Sequence, residues 1–204
     1  FMNSLRIVLP FEGGRLRELD FEDLPSLHSF SCEDDVQQLY SPEHVLTHWY
    51  WRKSLEYEQE ERDRIGCVRQ SYSFALEEES MMAGVVRLHV HPYAFDDRWH
   101  STEVSFFVGC EYRGRGLAKR SVRRVLPFAF ETVGSGRVCA MSFKENCFAH
   151  RVLEGAGLRK RWEGVSQGRV RGKEVGVYDS YRTNYSFDSH QIKHHNALKP
   201  SFIF

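Results

Sequence analysis

The segment Glu103-Val-Ser-Phe-Phe-Val-Gly-Cys-Glu-Tyr-Arg-Gly-Arg-Gly-Leu-Ala118 constrains this chain more than any other. A largely apolar run ends in two glycines one residue apart, and an amphipathic basic stretch begins at once. The pattern predicts a strand, a tight turn and a helix N-terminus, with Gly114 and Gly116 letting the backbone turn sharply and approach a ligand. The first N–H groups of a helix lack partners within it, and the helix dipole adds positive potential there. The turn therefore reads as an anion cradle, with a pyrophosphate as the expected anion. A P-loop would need Gly-Lys-Ser/Thr, and a dinucleotide fingerprint would need a third glycine and an early βαβ position; neither is present.

Around this core the chain alternates strand and helix signals. Leu16 to Leu19 is a short strand candidate, and Asp20 is placed to cap a helix whose apolar Phe21, Leu24 and Leu27 recur at helical spacing. Ser41-Pro42-Glu43-His44 reads as the start of a long helix running to about Arg64, with Ser at N-cap and Pro at N1. Its second half, Glu56 to Arg64, is mostly charge and reads as a solvated face. Ser71 to Glu77 and Met82 to His91 form a hairpin of strands, followed by a strand from Thr102 to Val108. Leu117 to Val133 is an apolar-periodic helix ending at Gly134, with Pro127 expected to kink it or break it in two. Arg137 to Phe143 is a buried strand, Asn146 to Ala156 a helix closed by Gly157, and Leu158 to Gln167 with Glu174 to Arg182 an antiparallel hairpin. Ser186 to Phe204 is a tail.

The chain has 204 residues, with 28 Lys plus Arg balanced by 28 Asp plus Glu. That length suits one domain, and the balance argues against a broad surface for nucleic acid or an anionic membrane. No apolar run approaches the length of a membrane-spanning helix and the N-terminal Phe1-Met2-Asn3-Ser4 has no charged-then-apolar signal pattern, so a cytoplasmic protein is expected. Five cysteines without a C-x-x-C pair read as reduced.

The run Thr-Glu-Val-Ser-Phe-Phe-Val-Gly-Cys-Glu-Tyr-Arg-Gly-Arg-Gly-Leu-Ala, together with Asn146-Cys-Phe-Ala-His-Arg-Val-Leu-Glu-Gly-Ala-Gly-Leu158, resembles the GNAT superfamily of acyl-coenzyme A-dependent N-acetyltransferases. The resemblance extends from about Leu16 to Arg182 and is greatest to the Rim-type branch, which acetylates ribosomal-protein N-termini, and to its relatives with other amine substrates. It implies an α/β (α+β) GNAT fold: a mixed central sheet of about seven strands with four helices, splayed between strands 4 and 5, those of Glu103 and Arg137. It also implies one domain over residues 1–185 with a tail over 186–204. Acetyl-coenzyme A is the implied co-substrate and a primary amine the acceptor, with no nucleic acid or membrane partner and a monomer or homodimer as the assembly.

The resemblance assigns roles as well. The backbone of Phe107 and Val108 pairs with the pantetheine arm, and Arg113, Gly114, Arg115, Gly116, Leu117 and Ala118 hold the pyrophosphate. Arg113, Arg115, Lys119, Arg120, Arg123 and Arg124 add positive charge nearby, or else form a solvated helix face. Glu111 stands where relatives often carry Gln or Arg. An aliphatic ammonium must lose a proton before it attacks a thioester, and Glu103 is the chosen base, acting through water. The alternative for Glu103 is a strand glutamate paired with an arginine or facing solvent. The Val108 N–H is the expected oxyanion donor. Asn146 is expected to bond the pantetheine or the catalytic water, or simply to cap its helix, and both roles are compatible. The tyrosine that many relatives use to protonate the thiolate is replaced by Leu153, and a serine found in some is Ala149; Ser142 and Cys147 are nearby alternatives. No metal site is expected. His89 and His91 share a strand face as pocket lining or a second proton relay. Trp49, Trp51, Tyr72 and Trp99 are candidates to flank an acceptor cleft. The missing tyrosine leaves a non-catalytic acyl-coenzyme A sensor as the alternative function.

Overall fold

The computed structural model describes residues 6–34, 36, 47–64, 69–96, 99–166 and 174–181. Within them β1 (Val8–Phe11), β2 (Gly14–Glu18), α1 (Leu24–Ser31), α2 (His48–Asp63), β3 (Ser71–Glu78), β4 (Met81–Asp96) and β5 (Trp99–Val108) are followed by α3 (Leu117–Pro127), β6 (Ser135–Phe143), α4 (Cys147–Ala156), β7 (Arg159–Val165) and β8 (Glu174–Tyr181). The strands form one eight-stranded sheet in the order β1-β2-β3-β4-β5-β6-β8-β7. Every neighbouring pair is antiparallel except β5 and β6. The expected mixed sheet and its four helices are therefore present, with β1 as one strand more than the sequence suggested.

Pro10 hid β1, because a proline cannot donate to a ladder and argues against a central strand. At the sheet edge it does no harm. The Glu18 N–H bonds the Ile7 carbonyl, so alternation turns the Pro10 nitrogen and carbonyl away from β2. The outward Pro10 carbonyl accepts a hydrogen bond from Arg124 Nε at 3.0 Å.

Asp20 caps the first helical turn as expected, exchanging bonds with Asp23 in a capping box. Thr47 has extended backbone and caps α2 by accepting the Tyr50 N–H, so α2 begins at His48; the Ser41 cap lies outside the described residues. The charged half of α2 is not simply solvated. Glu58 and Glu61 are buried, and they accept bonds from the Ser73 N–H and from the N–H groups of Gln70 and Ser71. These carboxylates dock α2 on the start of β3. Charged acceptors make stronger hydrogen bonds than neutral ones, which offsets their loss of water.

Pro127 ends the α-helical part of its segment, and Phe128–Thr132 continue as a single π-helical stretch whose Val133 N–H reaches the Phe128 carbonyl. The missing proline N–H breaks the α ladder, as expected. Phe128 then lies edge-on to Tyr72 and Phe74. Apolar residues cover the sheet on both sides. On one face Leu16, Phe74, Leu88, Val104, Val138 and Tyr178 pack with α3 and α4; on the other Leu19, Ala75, Val85 and Phe107 pack with α1 and α2.

The β3–β4 hairpin closes with Glu79 and Ser80, both left-handed at φ 50° and 67°. That conformation suits a two-residue type I′ turn, where Asn-Gly is preferred. The double substitution Glu79→Asn, Ser80→Gly should raise stability by about 1 kcal/mol, read as a higher urea midpoint at unchanged slope.

Candidate active site

The parallel β5–β6 ladder runs from His100↔Ser135 to Glu103↔Cys139 and goes no further, although both strands continue, to Val108 and Phe143. The sheet therefore opens into a V with Glu103 at its vertex. The Gly109 N–H bonds the Ala83 carbonyl at 2.9 Å, which fixes the alternation along β4 and β5. Phe107 faces its polar backbone toward Val85, while Phe106 and Val108 turn theirs into the opening. Two contacts agree with this. A Cβ built on Gly84 would stand 2.3 Å from the Phe107 carbonyl oxygen, and the Val108 carbonyl accepts Arg113 Nε at 2.8 Å. Of the two expected backbone residues, Val108 presents its N–H to the opening; for Phe107 that place falls to Phe106.

Gly114 and Gly116 have φ of 78° and 75°, in the left-handed region that other residues enter at a cost. The exposed turn at residues 113–116 leads directly into α3, where Gly116 is the N-cap and supplies no side chain to satisfy the first N–H groups. An anion fits there, with Leu117 and Ala118 at the start of the helix. The basic residues around it divide. Arg113 pairs with Glu33 and Arg115 with Glu78, while Arg120 folds back onto the Arg115 carbonyl beside Gly116. Arg123 and Arg124 are anchored elsewhere, to the carbonyls of Gly155 in α4 and Pro10 in β1, so these two serve packing rather than the cradle. Glu33 also accepts the Cys110 N–H, and Phe30 packs against Gly109; the end of α1 is thereby tied to the turn.

Glu103 is 4% exposed and lies on the α1–α2 face of the sheet. Among the described residues it is not paired with an arginine. Its Oε2 has no hydrogen-bond partner among the described residues and stands 3.8 Å from His91 Nε2. Burial raises the Glu103 pKa above the ordinary carboxylate range, against a smaller opposing pull from His91. Across the ladder Cys139 is buried and its thiol is pushed up to about 12, so it stays protonated and inert. His89 lies edge-on to His91 with ring centroids 4.7 Å apart, and its pKa is held down to about 4, mainly by burial. Further along β4, Arg87 bonds Tyr50, Ser54 and Ser73, with Glu58 at 3.6 Å.

On the opposite arm, Asn146 caps α4 by accepting the Ala149 N–H at 3.1 Å. The capping role is thus present, and its amide nitrogen is not used by that bond. Leu153 is fully buried, Cys147 is exposed rather than packed as a hydrophobe, and Ser142 is buried with its hydroxyl toward the Phe143 carbonyl at 3.4 Å. A buried tyrosine that sequence reasoning passed over, Tyr178, lies beside His150 of α4; its hydroxyl has no partner among the described residues. Among the described residues the expected aromatic cleft does not assemble. Trp51 is core, bonded to Ser31; Trp49 is exposed; and Tyr72 packs with Phe128 on the other face of the sheet. The Trp99 side chain, Cys67 and the tail histidines lie outside the described residues. No cluster of three metal-ligating side chains occurs among the described residues, and no helix there is long and apolar enough to cross a membrane.

Solved structures share this architecture. The ribosomal-protein-S5-alanine acetyltransferase from Vibrio fischeri superposes with a TM-score of 0.71 at 15% identity, covering 89% of this chain and 100% of that one. An acetyltransferase from Salmonella typhimurium that modifies the N-terminal serine of the ribosomal protein L7/L12 gives 0.70 at 14%, covering 86% and 99%. The spermidine N-acetyltransferase from Vibrio cholerae, in complex with coenzyme A and spermine, gives 0.66 at 18%, covering 84% and 96%. No curated protein matches in sequence. The family described as acetyltransferase (GNAT) domain matches residues 15–159. That match spans most of the sheet, the glycine turn and α4, and the chain accordingly belongs to the GNAT acetyltransferases, enzymes that use acetyl-coenzyme A.

Proposed function

We propose that the protein moves the acetyl group of acetyl-coenzyme A to a primary amine by direct attack, with both substrates bound at once. The observation that carries this is the arrested ladder: Glu103, buried at the vertex, sits at the closed end of an opening into which the Val108 N–H points. The Gly114–Ala118 turn and the first N–H groups of α3 take the diphosphate, and the backbone of Phe106 and Val108 aligns the pantetheine as an added strand. Glu103 accepts a proton from the incoming ammonium through water, and the Val108 N–H steadies the charge that develops on the carbonyl oxygen. Asn146 holds the arm from the α4 side. Aligning both reactants supplies much of the acceleration. The thiolate is stable enough to leave without a dedicated acid, consistent with Leu153 in the usual position.

The acceptor is a protein N-terminal amine or a polyamine, the classes on which the structural relatives of the Rim-type branch and the spermidine enzyme act. Residues 1–185 are read as a single catalytic domain and 186–204 as a tail, working in the cytoplasm as a monomer or homodimer without nucleic acid.

Calorimetry should show acetyl-coenzyme A binding that is weakened at least about tenfold by Gly116→Val, which forces a branched side chain into a left-handed position. Absence of binding to the wild-type protein would sink the proposal.

Thiol release should be tested with spermidine and with peptides beginning in alanine or serine. Glu103→Gln should lower kcat about 100-fold or more with coenzyme affinity retained. Tight coenzyme binding without turnover on any amine would instead indicate a sensor.

The same substitution should act on stability in the opposite sense. A carboxyl whose folded pKa is raised contributes full stability below its unfolded pKa and loses it as pH rises through the folded value. Glu103→Gln should therefore melt about 3 °C higher at neutral pH, the shift that about 1 kcal/mol makes in a chain of this size. The gain should vanish when pH falls below the ordinary carboxylate range, as followed by calorimetric melting.

A further inference from the structure

Each turnover leaves one proton over. An ammonium and a thioester become an amide and a thiol; the nitrogen gives up two protons, the sulfur takes one, and the other must reach solvent. Glu103 receives it in the reading above, on which this inference rests, but its side chain is only 5% accessible. Once the amine and the coenzyme fill the opening, a carboxylic acid this buried returns to its basic form only if something beside it carries the proton out.

We infer that His91 is the exit, taking the proton from Glu103 at Nε2 and releasing it at the open side of the α1–α2 face. The register pairs Glu103 with His89 and Ser101 with His91, so both imidazoles and the carboxylate stand on one face, with His91 one diagonal step from Glu103. The Glu103 Oε2 and the His91 Nε2 both lack hydrogen-bond partners among the described residues, and they face each other at 3.8 Å. Buried polar atoms are rarely left so, and two that point at each other across the paired strands β4 and β5, beside the substrate opening, mark a transfer step rather than a structural bond. His91 is 21% accessible, four times the figure for Glu103, which gives the pair a direction.

The surroundings keep the proton from straying. His89 packs edge-on to His91 but binds protons only near pH 4, so it stays neutral and does not compete. Arg87, from the same strand, and Glu58, from α2, are bonded to each other's surroundings. On the far side Cys139 of β6 is a buried thiol, and Asp179 of β8 is held by Arg137 and Arg161. Ser101 faces His91 from β5 without a charge. Within this set the carboxylate of Glu103 is the acid that His91 meets.

The step balances without any co-reactant. An N–H bond of the ammonium breaks and leaves its electron pair on nitrogen for attack. The proton resides on Glu103, crosses to the imidazole as the carboxylate re-forms, and passes from imidazolium to water.

The test uses the full chain with acetyl-coenzyme A and spermidine, or whichever alanine or serine peptide turns over. His91→Ala should lose about 10-fold to 100-fold in kcat with the KM for acetyl-coenzyme A unchanged, and added imidazole should restore turnover in a concentration-dependent way. His91→Gln, which keeps size and polarity but cannot carry the proton, should match the unrescued alanine variant, separating transfer from packing. His91→Ala at the wild-type rate, or a loss that imidazole leaves untouched, overturns the relay. Where that happens while Glu103→Gln is inactive, the base assignment survives alone; full turnover in Glu103→Gln removes both.

Discussion

The structure turns on a ladder that stops. Parallel β5 and β6 share hydrogen bonds only as far as Glu103 and Cys139 and then diverge, so the polar backbone of Phe106 and Val108 faces a gap in the middle of the sheet. Unpaired strand edges are usually concealed, because they invite pairing. In the proposed reading the invitation is addressed to an amide-bearing acyl carrier, and helices flank the gap on both sides. α3, which follows β5 through the glycine turn, packs on α4, which follows β6, so the helices tie the two arms together from outside.

The two faces of the sheet divide the labour. The α3–α4 face is continuous apolar core, from Leu16 through Val104 to Tyr178, and gives rigidity. The opposite face carries a row of polar side chains, Ser73, Arg87, His89, His91, Glu103 and Asp179, where burial is offset by hydrogen bonds and ion pairs wherever partners exist. Glu58 illustrates the satisfied case, with two serines and an arginine around it. Glu103 and its neighbour His91 are exceptions on this row, and a buried carboxylate left short of partners is a burden on stability that a reacting group can justify.

Much of this was legible in the sequence, for local reasons. The glycine turn and α3, the Asn146 cap, the Gly157 terminus and the β7–β8 hairpin each follow from residues within a few positions of one another. What sequence could not show depends on partners far along the chain. Glu58 and Glu61 looked solvated because the N–H groups they accept belong to Gln70, Ser71 and Ser73. Trp51 and Tyr72 were grouped because both are aromatic, yet the β3–β4 register sends Tyr72 to the face opposite Trp51. The approach of His91 to Glu103 exists only through the β4–β5 register, as does the exchange of Phe106 for Phe107 at the opening.

The proline in β1 has a consequence for assembly. At Pro10 the outer rim of the sheet offers no donor, and Arg124 already occupies the acceptor. A visiting backbone finds neither half of a pairing there, which is a built-in guard against uncontrolled stacking of sheets. At the other rim, among the described residues, β7 pairs with β8 alone and carries Trp162 and Val165 exposed. The sheet thus has a blocked end and a permissive one, and any strand-to-strand docking is steered toward Arg159–Val165.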